Sequence, residues 1–282
     1  MAISLTPAAA PASTPFGTRE AAASEPTLLV VSEATRRFRT KRHDTLALDR
    51  VSLEVHAGEF VCLVGPSGCG KSTLLNIVAG FEPLDGGTAT FDGSPIRRPG
   101  PDRTVVFQEP ALFPWLTVRS NVEFGLRIQG ASKQERHDRA SELLEVVNLT
   151  RFERAFVHEL SGGMKQRAQL ARALAVSPRM LLMDEPFAAL DAQTRDVLQL
   201  ELQQVAARSG ATVLFVTHNV REAAILGDRV VVMTPGPGRV HSEVAVALSR
   251  PRQPDDHGVA DLAAEIRARL GGAGVADAEV AP

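Results

Sequence analysis

Apolar residues gather into short runs separated by stretches of helical spacing. Runs at Leu28–Val31, Val51–Val55, Phe60–Val64, Val105–Phe107, Met180–Met183, Val213–Val216 and Val230–Met233 read as β-strands. The later ones are continuous rather than alternating, as in strands buried on both faces of a parallel sheet. Between them, Ala140, Leu143, Leu144 and Val147 share one helical face, and Ser132 with Glu135 forms a capping-box pattern at the start of that helix. Val197, Leu198, Leu202 and Val205 make a second face behind Asp191, an N-cap residue type. Strands alternating with helices predict an α/β core.

The pattern changes at both ends and once in the middle. Residues 1–26 are mostly Ala, Pro, Ser and Thr, without periodicity, and read as a disordered tail. Residues from about 109 to 160 carry helical patterns and loops but no buried strand, which predicts a helical subdomain inserted into a main domain spanning 27–248. A short extension, 249–282, begins Pro-, Arg- and Asp-rich. It offers one helical pattern near Val259–Leu270 and ends in what reads as a loose tail over 271–282. There is no internal repeat.

Composition narrows the class. At 282 residues the chain can bury a sizeable core without staples. Lys plus Arg number 31 against 33 Asp plus Glu, so no global basic field exists to hold nucleic acid. Two cysteines, Cys62 and Cys69, are too few for a disulfide framework and suit a reducing compartment. No apolar run approaches the ~20 residues that span a bilayer, and the N-terminal stretch lacks the basic-then-apolar order of a signal peptide. Any membrane role is expected to come through a partner.

The strongest local motif is Gly65-Pro66-Ser67-Gly68-Cys69-Gly70-Lys71-Ser72, which fits G-x-x-x-x-G-K-[ST] between an apolar strand and a helix. Its glycines let backbone N–H groups turn toward phosphate oxygens, and the helix N-terminus adds partial positive charge. Lys71 can reach the β- and γ-phosphates and the Ser72 hydroxyl can ligate Mg²⁺, with Thr73 next along the nucleotide-binding turn. A bulky thiol reagent on Cys69 is expected to fill this loop. A phosphate loop alone gives a nucleotide site shared by kinases, GTPases, motors and transport ATPases.

A second apolar strand, Met180–Met183, ends in Asp184-Glu185. Ligands of parallel α/β sheets sit at the carboxyl ends of strands, so Asp184 is placed to hold Mg²⁺ and Glu185 to polarise an attacking water. Leu160-Ser161-Gly162-Gly163-Met164 precedes a helical stretch near Lys165 and offers a second anion-binding terminus. One nucleotide does not need two such sites from one chain, whereas two chains head to tail would use both.

In this order the motifs resemble an ABC transporter ATP-binding subunit over about Leu28–Val240. The match takes in Walker A (65–72), Gln108 after a strand, the Leu-Ser-Gly-Gly signature (160–163) and Walker B with its Glu (180–185). The D-loop Ala189-Leu190-Asp191 and a switch histidine, His218, complete it. The resemblance implies a P-loop NTPase core with the inserted helical subdomain and an N-terminal antiparallel β portion. It implies ATP sandwiched between Walker A of one copy and Ser161, Gly162 and Gly163 of a second. Gln108 would contact Mg²⁺ and report on the γ-phosphate, His218 would hold that phosphate, and Asp191 would couple the two sites. Phe38 would stack on adenine in a chain with no Tyr, while Arg36, Arg37, Arg39, Lys41 and Arg42 around it read as a solvated loop. Two departures from the family pattern, Met164 for Gln and Ala188-Ala189 in the D-loop, remove no phosphate ligand.

Further signals suggest an import subfamily. Pro235-Gly236-Pro237-Gly238-Arg239-Val240, Gly80-Phe81-Glu82-Pro83 and Phe107-Gln108-Glu109 resemble the nitrate/sulfonate/taurine group, and Phe113-Pro114-Trp115 lies where that family docks a membrane subunit. The 42 residues after Val240 leave little room for an appended regulatory barrel. The expectation is a peripheral ATPase on the cytoplasmic face of the inner membrane, dimeric, working with permease subunits and indirectly a solute-binding protein. The alternative is a soluble ABC ATPase acting on nucleic acid or ribosomes, disfavoured by the missing basic field.

Overall fold

The computed structural model describes residues 26–40 and 44–276; the tail expected over 1–26, apart from Pro26, lies outside the described residues, as do Lys41 and Arg42. The chain runs β1 (Thr27–Arg39), β2 (Asp44–His56), β3 (Phe60–Val64), α1 (Lys71–Ala79), β4 (Gly86–Phe91), β5 (Ser94–Pro95) and β6 (Arg103–Val106). It continues α2 (Val118–Ile128), α3 (Lys133–Val146), α4 (Gly162–Ala175), β7 (Met180–Asp184), α5 (Ala192–Ser209) and β8 (Thr212–Thr217). Then follow α6 (Val220–Leu226), β9 (Arg229–Met233), β10 (Val240–Ala245) and α7 (His257–Ala276).

Two sheets result, as the α/β class with an antiparallel N-terminal portion requires. The first, in order β2-β1-β4-β5, is antiparallel. The second, in order β10-β9-β3-β8-β7-β6, is parallel except for the edge strand β10. Every residue of β3 and β8 is buried, which is why their runs are continuous. Alternate residues feed two cores. Val61, Leu63, Leu182, Leu214 and Val216 face α1 and the antiparallel sheet. Phe60, Cys62, Val64, Met183 and Phe215 face the remaining helices. Helix α1 therefore lies between the sheets, held by Leu74, Leu75, Ile77 and Val78.

Between Phe107 and Ser161 no strand is formed among the described residues; α2 and α3 pack on each other and on α4. The capping box of α3 is made: Ser132 N donates to Glu135 Oε2 at 2.7 Å and Glu135 N to Ser132 Oγ at 3.3 Å. Ala140, Leu143, Leu144 and Val147 are all buried.

Several expectations need correction. Helix α4 begins at Gly162 rather than near Lys165, because Ser161 caps it by accepting Met164 N at 3.3 Å. Val197 is exposed; at 100° per residue it sits at the rim of the face formed by Leu198, Leu202 and Val205. Arg36, Arg37 and Arg39 lie on β1, not in a loop, and Arg36 bridges Glu82 at 2.8 Å and Asp85 at 3.2 Å. Residues 271–276 continue α7 instead of forming a loose tail, and 277–282 lie outside the described residues. Helix α7 closes the sheet beside α6, burying Val259, Ala263 and Ile266. Strands β4, β5 and β10 were not expected from the pattern.

Candidate nucleotide site

Strand register gathers the candidate residues at one edge. Val64 pairs with Thr217, Asp184 with Val216 and Val106 with Met183. The segments starting at Gly65, Glu185, His218 and Phe107 therefore leave the same carboxyl edge, the binding edge of an open parallel sheet.

The phosphate loop begins directly after the buried strand β3. Gly70 takes φ 88°, and a Cβ there would lie 2.5 Å from Leu48 Cδ2 and 2.7 Å from Ala47 O, so only glycine fits. No side chain caps α1 and no acidic residue lies in its first turn, which leaves the helix terminus at Ser72 and Thr73 suited to an anion. Pro66, Ser67 and Gly68 are exposed along the outer rim. Lys71 is buried, its Nζ donating to Gly65 O at 2.8 Å and Pro66 O at 3.0 Å. Cys69 is fully buried in the core under the loop, so a thiol reagent reaches it only when the loop opens.

The loop after β9 braces this turn from below. Gly238 N donates to Ala47 O and Asp49 N to Gly238 O, both at 3.0 Å. A Cβ on Gly238 would fall 2.1 Å from Cys69 O, and Arg239 forms an ion pair with Asp49. The Pro235–Val240 turn is thus part of the support of the phosphate loop.

Two carboxylates follow β7. Asp184 Oδ1 accepts the Ser72 hydroxyl at 3.0 Å, bringing two hard oxygen donors together at the loop. Mg²⁺ is usually held by one or two such groups, waters and substrate phosphates, so these residues fit that ion. Burial pushes the Asp184 carboxyl above its ordinary range, and Glu185 adds to this, while Ser72 and Lys71 pull it back. Glu185 points elsewhere: its Oε2 is 2.9 Å from His218 Nδ1. Its backbone is left-handed at φ 44°, a conformation that costs a non-glycine residue roughly 1–3 kcal/mol. Glu185 N donating to Val216 O at 2.9 Å and Ala188 N to Glu185 O at 3.2 Å hold it there. A phosphate loop, a hydroxyl–carboxylate pair and a carboxylate–histidine pair therefore lie together on one sheet edge.

The family model for ABC transporters matches residues 48–188, from the strand beside the phosphate loop to the turn after Glu185. The chain belongs to the ABC transporter family. It is 47% identical over 220 residues to the nitrate import ATP-binding protein NrtD of Synechocystis sp., covering 78% of this chain and 83% of that protein. Identity to the taurine import ATP-binding protein TauB of Rhizobium johnstonii is 52% over 194 residues, 69% and 74% of the two chains. Among solved structures, the ATP-binding cassette MJ0796, a dimer in a post-hydrolysis state bound to ADP and Pi, superposes with a TM-score of 0.69. That pair is 33% identical over 78% of this chain and 99% of the other. This ABC cassette is an ATPase coupled to transport.

Within the ABC cassette the other expected residues divide. Ser161 is the N-cap of α4, with Ser161 and Gly162 exposed, and a Cβ on Gly163 would press on Thr194 Cγ2 at 2.6 Å. Asp191 caps α5 by accepting Thr194 N at 2.9 Å, and these amide bonds hold its carboxyl below the usual range. Gln108 is exposed two residues beyond β6. Phe38 is exposed on β1 opposite Thr45, with the Arg36 guanidinium 4.8 Å from its ring centre. Sequence reasoning missed Arg195 and Glu222 beside the His218 turn. A lone Glu among Val220, Ala223, Ala224 and Ile225 was the available signal.

Proposed function

We propose that this chain is the ATP-hydrolysing subunit of an importer for a small anionic solute of the nitrate, sulfonate or taurine type, working as a dimer beneath separate permease subunits. The observation that carries this is the Glu185–His218 contact of 2.9 Å beside the phosphate loop, in a chain about half identical to nitrate and taurine import subunits. Residues 109–160 are read as the helical subdomain within a cassette of 27–248, and Phe38 as the adenine-stacking residue.

In this reading the phosphates of ATP lie in the turn of Gly65, Pro66, Ser67, Gly68, Cys69 and Gly70, with amides of Lys71, Ser72 and Thr73 directed at them. Lys71 exchanges its bonds to the Gly65 and Pro66 carbonyls for phosphate oxygens, so binding has no cost of dragging the ammonium out of water. Ser72, Asp184 and Gln108 are the ligands for Mg²⁺, which when bound neutralises charge on the phosphates. Glu185 accepts a proton from the attacking water, and His218 holds the carboxylate and the γ-phosphate in line. Such positioning and charge stabilisation supply most of the catalysis in phosphoryl transfer. Ser161, Gly162 and Gly163 of a second copy close the nucleotide from the other side, with Asp191 joining the two sites.

Exposed aromatics around Gln108 support a permease partner. Phe107 and Phe81 stack at 6.4 Å, and Trp115, 71% exposed, contacts Phe113 at 5.5 Å. Aromatic anchors of this kind are favoured at docking sites. Among the described residues no helix is long and apolar enough to cross a membrane. In this reading the permease is a separate chain and the cassette works on the cytoplasmic side of the membrane.

The test is capture of the Glu185→Gln variant with ATP from detergent-solubilised native membranes, followed by mass spectrometry. The variant is expected to bind ATP while its turnover falls by about 10²-fold or more, and an integral permease should come with it. Recovery of only ribosomal or nucleic-acid-binding partners would contradict the importer reading, and normal turnover would contradict the role of Glu185.

A further inference from the structure

The turns that carry Glu185 and His218 are joined by a second, hidden set of polar contacts. Glu222, in the first turn of α6, has a side chain only 6% exposed. A carboxylate is rarely buried this far without dedicated partners. Its Oε2 accepts the Thr217 hydroxyl at 2.6 Å, and its Oε1 faces Arg195 Nε at 3.6 Å. Thr217 directly precedes His218, and its Oγ1 also accepts Asn219 N at 3.0 Å, so one hydroxyl fixes the backbone on both sides of the histidine. Arg195, in the first turn of α5, donates from Nη2 to Leu190 O at 2.7 Å. Leu190 N in turn donates to Phe187 O, and Ala188 N to Glu185 O, both at 3.2 Å. The contacts close a ring from Glu185 through His218, Thr217, Glu222, Arg195 and Leu190 back to Glu185.

We propose that Arg195 and Glu222 are positioning residues for hydrolysis, clamping the turn after β7 to the turn after β8 so that the Glu185 carboxylate and His218 ring hold their working geometry. This rests on the reading of Glu185 and His218 given above. The left-handed backbone of Glu185 is a strained state that persists only where its surroundings over-determine it. Helix α6 has just seven residues and is too short to fix His218 by its own ladder. The ring also borders a small, partly open cavity of about 50 Å³, lined by its own side chains and Ala188 and Asn219. That volume is large enough for water beside the Glu185–His218 pair, so displacing either clamp residue alters the shape of the space next to the pair. Burial, with Glu185 adding to it, outweighs the opposing pull of Thr217, Arg195 and His218 and holds the Glu222 carboxyl above its ordinary range.

The experiment compares steady-state ATP hydrolysis by full-length Glu222→Gln, Arg195→Met, the double variant and Arg195→Lys with wild type and Glu185→Gln. Misplacing a reacting group by about 1 Å costs on the order of 10²-fold. Each single variant is expected to lose about tenfold to hundredfold in kcat with KM for ATP within about twofold. The double variant should be no slower than the slower single, and Arg195→Lys should recover part of the loss. Thr217→Val, which removes only the hydroxyl link, should show the same kcat-selective loss if Glu222→Gln does not fold. Wild-type kcat in the clamp variants beside an inactive Glu185→Gln would overturn the clamp and leave the base in place. A parallel collapse of kcat, KM and thermal midpoint would show a merely structural pair and also overturn it. Wild-type turnover by Glu185→Gln would instead overturn the reading on which the clamp rests.

Discussion

Asp184 illustrates how a binding group can oppose the stability of the protein that carries it. Burial raises its folded pKa above the ordinary 3.8, so the charged form is disfavoured in the fold. For an acid shifted this way the cost is absent below the unfolded pKa, grows as pH rises toward the folded one, and is fully present above it. At neutral pH the nucleotide-free protein carries that cost, and Mg²⁺ held there as proposed would remove it. Asp184→Asn keeps an oxygen acceptor for Ser72 while discarding the charge. Its nucleotide-free thermal midpoint should therefore rise by about 1–3 °C at pH 7.5. The difference should vanish as pH falls below 3.8, and the stabilisation by Mg²⁺ and ATP should be lost. Calorimetry with and without nucleotide checks this, and a lower nucleotide-free midpoint would contradict it. The gathering of Lys71, Asp184 and Glu185 at one sheet edge was legible because each sits at a fixed offset from a buried strand, whereas His218 was singled out only by the family resemblance. Arg195 and Glu222 were not legible, because an ion pair between two helices has no local spacing to read.

Elements were legible in proportion to how fully they are buried. Strands β3, β7 and β8 stood out as unbroken apolar runs because both faces are covered. In β10 only Val244 is buried, and β4 opens with two glycines and buries only Ala89 and Phe91, so neither announces itself. The apolar pattern of helix α7 ends near Leu270, yet the helix passes through Gly271 and Gly272, where a Cβ would meet nothing. Arg252 shows why the extension cannot be trimmed. It is 2% exposed and caps the end of α6, donating to the carbonyls of Ala224 at 3.1 Å, Ile225 at 3.2 Å and Gly227 at 2.6 Å. Gln203 grips its backbone from α5 through bonds of 2.9 and 3.0 Å. Burial lowers its pKa to about 10, still high enough to keep it charged at neutral pH. Arg252→Met strands those carbonyls and should cost about 2–4 kcal/mol. Urea unfolding would show this as a lower midpoint at unchanged slope; an unchanged midpoint would mean α6 does not depend on the extension.

On the scale of the whole molecule, the two cores explain the division of labour. The core around α1 fixes the phosphate loop between two sheets, and the core on the opposite face seats α4, whose N-terminus presents Ser161 and Gly162 to solvent. One chain thus presents the N-termini of two separate helices, which in the proposed dimer meet around ATP. Sedimentation velocity of Glu185→Gln tests this most directly, with ATP occupancy measured in the same samples. Saturating Mg²⁺ and ATP should convert the protein to a dimer, while ADP or a further Ser161→Arg change should leave it monomeric. A Glu185→Gln protein that stays monomeric with ATP bound would contradict the nucleotide-sandwich dimer.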